Sequence, residues 1–337
     1  PHAAVLTRKW GTAVPMGCNR VILAAGALGA AFAITAPGTA TAETCGGADA
    51  ACTLPAGSYH LLSPAGDGPH PAVMLLHDAG GSAAQLIGAS SLLDSALARG
   101  FAVIVPQALD QTMADGSVMP GWGLSGTRSG GRDDITFIER VIADSAEQHG
   151  IDASRILVTG YGHGAALTWE AACARPEAAA AFAPRNGGYF AALPEACAGD
   201  TAVLHMHAPV EGGWPLATPG ETAEGAAPFV PIQDHLTLAA AAFGCEGRGG
   251  SDLSLPAGWD GVAWSGCAEG ASLSLVLHPE SARTSALQFD VMLDWFEATL
   301  PPAAPAPAPQ EADLTDDAQD VSALSAETAA PVEESIE

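Results

Sequence analysis

Six short stretches of the chain are apolar with little interruption. They are Pro71-Ala72-Val73-Met74-Leu75-Leu76-His77, Phe101-Ala102-Val103-Ile104-Val105, Arg155-Ile156-Leu157-Val158-Thr159, Ala178-Ala179-Ala180-Ala181-Phe182-Ala183, Thr201-Ala202-Val203-Leu204-His205-Met206 and Leu273-Ser274-Leu275-Val276-Leu277-His278. Runs of this kind, lacking polar alternation, suit strands of a parallel sheet that helices cover on both faces. The segments between them carry helical spacing. Ala83 to Arg99 reads as a helix, and Asp133-Asp134 opens another with Ile135, Ile138 and Ile142 on one face and Gly150 as its stop. A third runs from the glycines after Thr159 through Trp169 and Cys173, and a last one from about Thr284 to Thr299 turns Phe289, Met292, Leu293 and Phe296 inward. Pro106 to Gly131, with Trp122, reads as a glycine-rich loop. Strands alternating with helices over about 250 residues predict an α/β fold with one doubly wound, mostly parallel sheet in a single domain.

The ends of the chain read differently. Between Asn19-Arg20 and Ala40-Thr41-Ala42 lies the apolar run Val21 to Ile34, a positive flank followed by an apolar core and a small-x-small end. That is the pattern of a secretory signal peptide cut after Ala42, with Met16 as the natural start and residues 1–15 upstream of it. The run is shorter than the ~20 residues of a membrane-spanning helix. From Pro301 the chain turns to Pro-Pro-Ala-Ala-Pro-Ala-Pro-Ala-Pro and then to an acidic stretch without a base up to Glu337. Such a segment buries too little apolar area to offset chain entropy, so 301–337 is expected to be a disordered tail. The folded domain is then 43–300.

Charge and cysteines narrow the setting. Without residues 1–42 the chain keeps 9 arginines against 38 acids, a net charge of −29. So acidic a protein repels nucleic acid and anionic membranes and suits a solvated, exported life. Loss of Cys18 leaves six cysteines, an even count for an oxidising compartment. Six allow 15 pairings; pairing sequence neighbours gives Cys45 with Cys52, Cys173 with Cys197 and Cys245 with Cys267. No C-x-x-C is present and no histidine stands at ligand spacing from a cysteine pair, so no metal site is expected.

Chemistry concentrates where Ile156-Leu157-Val158-Thr159 meets Gly160-Tyr161-Gly162-His163-Gly164. A strand, a glycine corner and a helix make the elbow that in an α/β-hydrolase reads G-x-S-x-G and lifts a serine above the sheet. Here the serine position is Gly162, which offers neither nucleophile nor acid nor base. The backbone parts of an ester-cleaving site are nevertheless expected: the N–H of His163, and those of Ala79 and Gly80 in the loop His77-Asp78-Ala79-Gly80-Gly81-Ser82, as oxyanion donors.

In order and spacing these pieces resemble the secreted polyhydroxybutyrate depolymerase and feruloyl esterase-like group of α/β-hydrolases, from about Leu54 to Phe296. The matching segments are Leu76 to Ser82 for the group's HG-x-GG loop, Asp133 to Ile138, Ile151 to Gly160, the alanine-rich segment holding Cys173, Leu204-His205-Met206-His207 and the late cysteine pair around Trp264. The resemblance implies cofactor-free hydrolysis of a polyester, an ester on a polysaccharide or a small ester by a serine–acid–histidine triad. Gly162 removes the nucleophile. At the acid position after His207 the chain offers Glu211, which either orients a base or is a solvated loop residue. In place of the Gly-x-Gly-His turn that carries the group's base stands Pro279-Glu280-Ser281-Ala282-Arg283, leaving His278, a strand-end histidine, as base or as a structural residue. A degenerate site is therefore expected, retained for ligand binding, with an active carboxylesterase using another nucleophile as the alternative. A third reading takes Gly160-x-Gly162-x-x-Ala165 as a dinucleotide fingerprint, with Arg185 beside the 2′-phosphate of NADP.

Overall fold

A computed structural model of the chain describes residues 45–47, 49–112, 116–125, 131–190, 192–208, 214–217, 229–279 and 285–300. The expected signal peptide, the tail and Glu211 lie outside them. The elements, in chain order, are β1 (Cys52–Leu54), β2 (Gly57–Leu62), β3 (His70–Leu76), α1 (Ala83–Ile87), α2 (Ser90–Ala98), β4 (Ala102–Pro106), β5 (Leu109–Thr112), β6 (Val118–Gly121), α3 (Asp134–His149), β7 (Ile151–Tyr161), α4 (His163–Ala174), β8 (Ala181–Arg185), β9 (Ala202–His207), α5 (Ile232–Ala242), β10 (Gly247–Gly250), β11 (Asp260–Ser265), β12 (Ser272–Leu277) and α6 (Ala286–Thr299).

One ten-stranded sheet runs in the order β1-β2-β4-β3-β7-β8-β9-β12-β11-β10. Its middle six strands, β4 to β12, are parallel, and β1, β2, β11 and β10 pair antiparallel at the two edges. The six apolar runs of the sequence are these six central strands. They are buried on both faces because a separate core covers each: Phe137, Ile138, Val141, Leu167, Trp169 and Leu236 of α3, α4 and α5 on one side, and Leu93, Ala96, Phe289, Met292, Leu293 and Phe296 of α2 and α6 on the other. With its sharp corner between β7 and α4, this is the α/β-hydrolase fold.

Several elements depart from the sequence reading. The helix expected over Ala83–Arg99 is broken at Gly88, whose N–H bonds Ala84 O, so α1 and α2 are separate. The 106–131 loop contains the β5–β6 hairpin. The run from Ala178 is a strand only from Ala181, because Pro176–Ala178 forms a 3₁₀ turn first. The edge strands were not legible: β10 is Gly-Arg-Gly-Gly, exposed throughout, and shows no apolar pattern. The structure joins Cys45 to Cys52, Cys173 to Cys197 and Cys245 to Cys267. Among the described residues no helix is long and apolar enough to cross a membrane.

Candidate active site

The corner at Gly162 is built from close approach. Gly162 has φ 56° and ψ −115°, a left-handed backbone that a residue with a Cβ adopts only at a cost. Its N–H bonds Arg185 O at 3.3 Å, and its carbonyl accepts from Ala166 N–H at 3.0 Å, which starts α4. A Cβ on Gly164 would lie 2.2 Å from Leu76 O, so only glycine there lets the first turn of α4 close on the end of β3. That contact brings the loop after β3 against the corner.

The loop itself is anchored by His77. This buried imidazole accepts from Ala108 N–H through Nε2 at 3.1 Å, which leaves the proton on Nδ1 to donate to Asp78 O at 2.8 Å. Burial pulls its pKa below the ordinary value, with Asp78 partly opposing, so it is neutral in this role. Trp122 Nε1 donates to His77 O at 2.7 Å. Gly80 N–H, expected as an oxyanion donor, bonds Pro120 O at 2.8 Å and so does not face the site, because the β6 end of the hairpin lies against this loop.

The remaining two donors, Ala79 N–H and His163 N–H, do converge. Both are 2.8 Å from one atom, Asp78 Oδ1. A cradle that in an ester hydrolase would hold the oxyanion of a bound acyl group therefore holds this chain's own carboxylate. Oδ2 accepts no hydrogen bond from any described residue. The carboxylate also fills the place of the missing nucleophile, since a Cβ at Gly162 would lie 2.3 Å from Oδ1, 2.5 Å from Cγ and 2.7 Å from Oδ2. The sequence reading missed Asp78, although the loop pattern carried the signal: an acid follows His77 where HG-x-GG has glycine.

Burial, and after it the Asp78 charge, sets the local electrostatics. Burial lowers the His163 pKa, against the pull of the Asp78 charge, and burial followed by the same charge raises that of Tyr161. The His163 ring meets Phe190 edge-on at 4.5 Å; Phe190 packs on Trp214 at 4.9 Å and Trp214 on Phe229 at 4.2 Å. An aromatic wall thus rises beside the corner.

The other expected residues are placed as follows. His278 ends β12 beside His207, its N–H on His207 O, its ring 5.0 Å from Trp259 and its Nδ1 3.5 Å from Gln288 Nε2, packed on the α6 side of the sheet. Trp169 Nε1 donates to His205 Nδ1 at 3.1 Å, so His205 carries its proton on Nε2, which stands 3.5 Å from His207 Nδ1. Burial first, then neighbouring histidines, hold His205 well below the usual range, and burial, then His278, holds His207 at about 4. Arg185 is buried, its Nε on Thr159 Oγ1 at 3.2 Å and its pKa pushed down to about 10 by burial. It does not stand where a nucleotide phosphate would meet it, and the α4 N–H that would take a pyrophosphate is already on Asp78. The dinucleotide reading fails on both counts. His149 Nε2, about 100 positions away in sequence and so outside any ligand spacing, comes within 3.3 Å of Cys45 Sγ and 3.5 Å of Cys52 Sγ; both sulfurs are held in a disulfide.

No protein-family model matches the chain, and no curated protein matches it. Solved structures similar to it include a Bacillus cereus carboxylesterase (12% identity, 72% of this chain and 94% of that one, TM-score 0.46), esterase PE8 (15%, 71% and 97%, TM-score 0.47) and YahD with malic acid (13%, 72% and 98%, TM-score 0.45). The fold assignment stands on the sheet order and the corner at Gly162, independently of these likenesses.

Proposed function

We propose that the chain is an exported α/β-hydrolase-fold protein of the polyhydroxybutyrate depolymerase and feruloyl esterase-like kind in which serine-based ester hydrolysis has been dismantled, leaving a ligand-binding site that does not turn over esters. The observation that carries this reading is the double occupation of the site. Gly162 supplies no hydroxyl, and Asp78 Oδ1 takes both N–H donors that an ester's oxyanion would need. Removing one such donor costs an acyl-transfer enzyme roughly 10²–10³ in rate, and here both are engaged by an anion that would repel a second. Export is supported by the 1–42 pattern and by three disulfides, which persist in oxidising compartments.

The test uses purified mature chain with p-nitrophenyl esters, hydroxybutyrate oligomers and a fluorophosphonate probe. No covalent label and no turnover above heat-denatured protein are expected. Labelling of a serine with matching ester turnover would overturn the reading.

A further inference from the structure

We infer that the cleft over Glu170 is a binding site for a small organic cation, a primary ammonium on an apolar body, with Glu170 as its counter-ion. The site is separate from the corner at Gly162. Glu170 lies about 10 Å further along α4 by the rise of a helix, so the cleft stands or falls independently of ester chemistry at the corner.

The cleft has fixed sides. Glu170, Cys173 and Ala174 share one face of α4 through their i, i+3, i+4 spacing and form one of them. The 192–198 segment forms another, tied to α4 by the Cys173–Cys197 disulfide and by Ala198 N–H on Cys173 O at 2.7 Å. Ile135 of α3, Tyr189, Leu193 and Pro194 add apolar surface around a volume of about 430 Å³, the size of a small-molecule pocket. Among the described residues that line it, Glu170 alone carries a charge.

No cation of the described residues faces this carboxyl. Glu170 is buried, and its hydrogen-bond partner among them is Ser125, through the N–H at 2.8 Å and through the hydroxyl. A carboxylate has lone pairs for about four donors, and an ionised one is costly to bury without an opposite charge. The arginines of the flanking segments are committed elsewhere, Arg132 to Asp134 and Arg175 to Glu139. Glu195, on the 192–198 segment, is exposed and does not line the cleft. Tyr189 is driven upward by burial and then by the Glu170 charge, so it stays neutral, and His235 behind it, accepting from Tyr189 N–H, is neutral too because burial holds it at about 4. Burial pushes Glu170 itself up to about 7, against the Ser125 bonds. A primary ammonium in the cleft would take the place of that proton. Its N–H groups supply donors to the carboxylate and its charge offsets the desolvation. The cleft also runs along the last turn of α4, the negative end of the helix dipole, and a chain of net charge −26 draws cations toward it. An anionic ligand would be repelled by all three.

Isothermal titration of the full chain with 2-phenylethylamine, and with 2-phenylethanol as the uncharged counterpart of the same shape, tests the site. At pH 8 one equivalent of the amine should bind roughly tenfold or more tightly than the alcohol, the usual worth of a charge-assisted hydrogen bond. Glu170→Gln keeps the shape and should weaken the amine by a similar factor while leaving the alcohol unchanged. Between pH 8 and pH 5.5 the native chain should lose roughly tenfold or more in affinity for the amine, because Glu170 must give up a proton before it can pair. Near pH 6.5 binding should release protons, seen as a heat that varies with the ionisation enthalpy of the buffer, and the Gln variant should show neither effect. The proposal is overturned if the amine shows no saturable binding to the native chain, if the alcohol or Glu170→Gln matches it, or if affinity is equal at pH 5.5 and pH 8.

Discussion

Asp78 and Gly162 share one side-chain position. A Cβ at residue 162 would overlap the Asp78 carboxylate at 2.3 Å from Oδ1, and the loop that carries Asp78 is fixed by Ala79 and His163 N–H to that same oxygen. The carboxylate therefore fits only because residue 162 has no side chain. Gly162→Ala should cost about 1–3 kcal/mol from overpacking, in addition to the strain of a left-handed backbone. In the Asp78→Gly background the same change should cost less, by roughly 1 kcal/mol or more, since directly contacting residues couple by about 0.5–3 kcal/mol. Urea unfolding of the four proteins measures the coupling. Additive effects would show that the carboxylate does not occupy this position.

How far the sequence revealed this arrangement depends on how local each signal is. The six central strands were legible because burial on both faces forces continuous apolar runs such as Val73-Met74-Leu75-Leu76. The corner was legible because Gly160, Gly162 and Gly164 are all required by close approach or positive φ. The edge strand Gly247–Gly250 was not, since an exposed strand carries no apolar pattern. What Asp78 does was hidden for a different reason. Its partner Gly162 lies 84 positions away, and that they meet follows from β3 and β7 being neighbours in the sheet, which no local window contains. The buried row of Trp169, His205 and His207 was likewise invisible until α4 was laid on β9.

Stability should fall on acidification because several histidines are buried in neutral form, His207 and His235 among them. Burial holds His207 and His235 at about 4, against a reference of 6.5. His235 shows the cause in its bonds: Nε2 accepts from Tyr189 N–H at 2.7 Å while Nδ1 faces Pro231 O at 2.9 Å, so a second ring proton would confront a donor. Between these pH values the unfolded chain binds the extra protons, so stability rises with pH across the window. The contribution is complete above about pH 7 and is lost as pH falls from 6.5 toward 4, on the order of 3 kcal/mol per histidine. Urea midpoints at pH 7.5, 5.5 and 4 follow the loss. His235→Gln, which can accept and donate in the same places, should flatten the slope.

Glu170 should act in the opposite sense. This α4 carboxyl is 4% exposed, faces a cleft of about 430 Å³ with Tyr189 and Leu193, and accepts from Ser125 N–H at 2.8 Å. Burial raises its pKa to about 7, the Ser125 bonds only partly opposing. The folded state then holds its proton more tightly than the unfolded one, so this group's contribution is present below pH 4.5 and is lost as pH rises toward 7. Glu170→Gln keeps the shape and a bond acceptor. It should leave stability near pH 4.5 unchanged and raise it at pH 8 by up to about 3 kcal/mol. Equal effects at both values would show that the carboxyl is solvated.

The three disulfides should differ in worth according to the loops they close. Cys45–Cys52 spans a sequence separation of 7 and Cys173–Cys197 one of 24. In the chain-entropy account these closures are worth about 2.5 and 3.5 kcal/mol. The longer one also ties the end of α4 to the segment before β9, where Ala198 N–H bonds Cys173 O at 2.7 Å. Replacing Cys173 and Cys197 by alanine should therefore lower the urea midpoint more than replacing Cys45 and Cys52, and should loosen the helix that presents His163. Hydrogen exchange separates the two consequences: faster exchange confined to α4 and the 192–198 segment is expected for the first pair, and to β1 and its neighbours for the second. Non-reducing peptide maps of the native chain should show only these pairs and Cys245–Cys267, and any crossed bridge would remove the basis for the comparison.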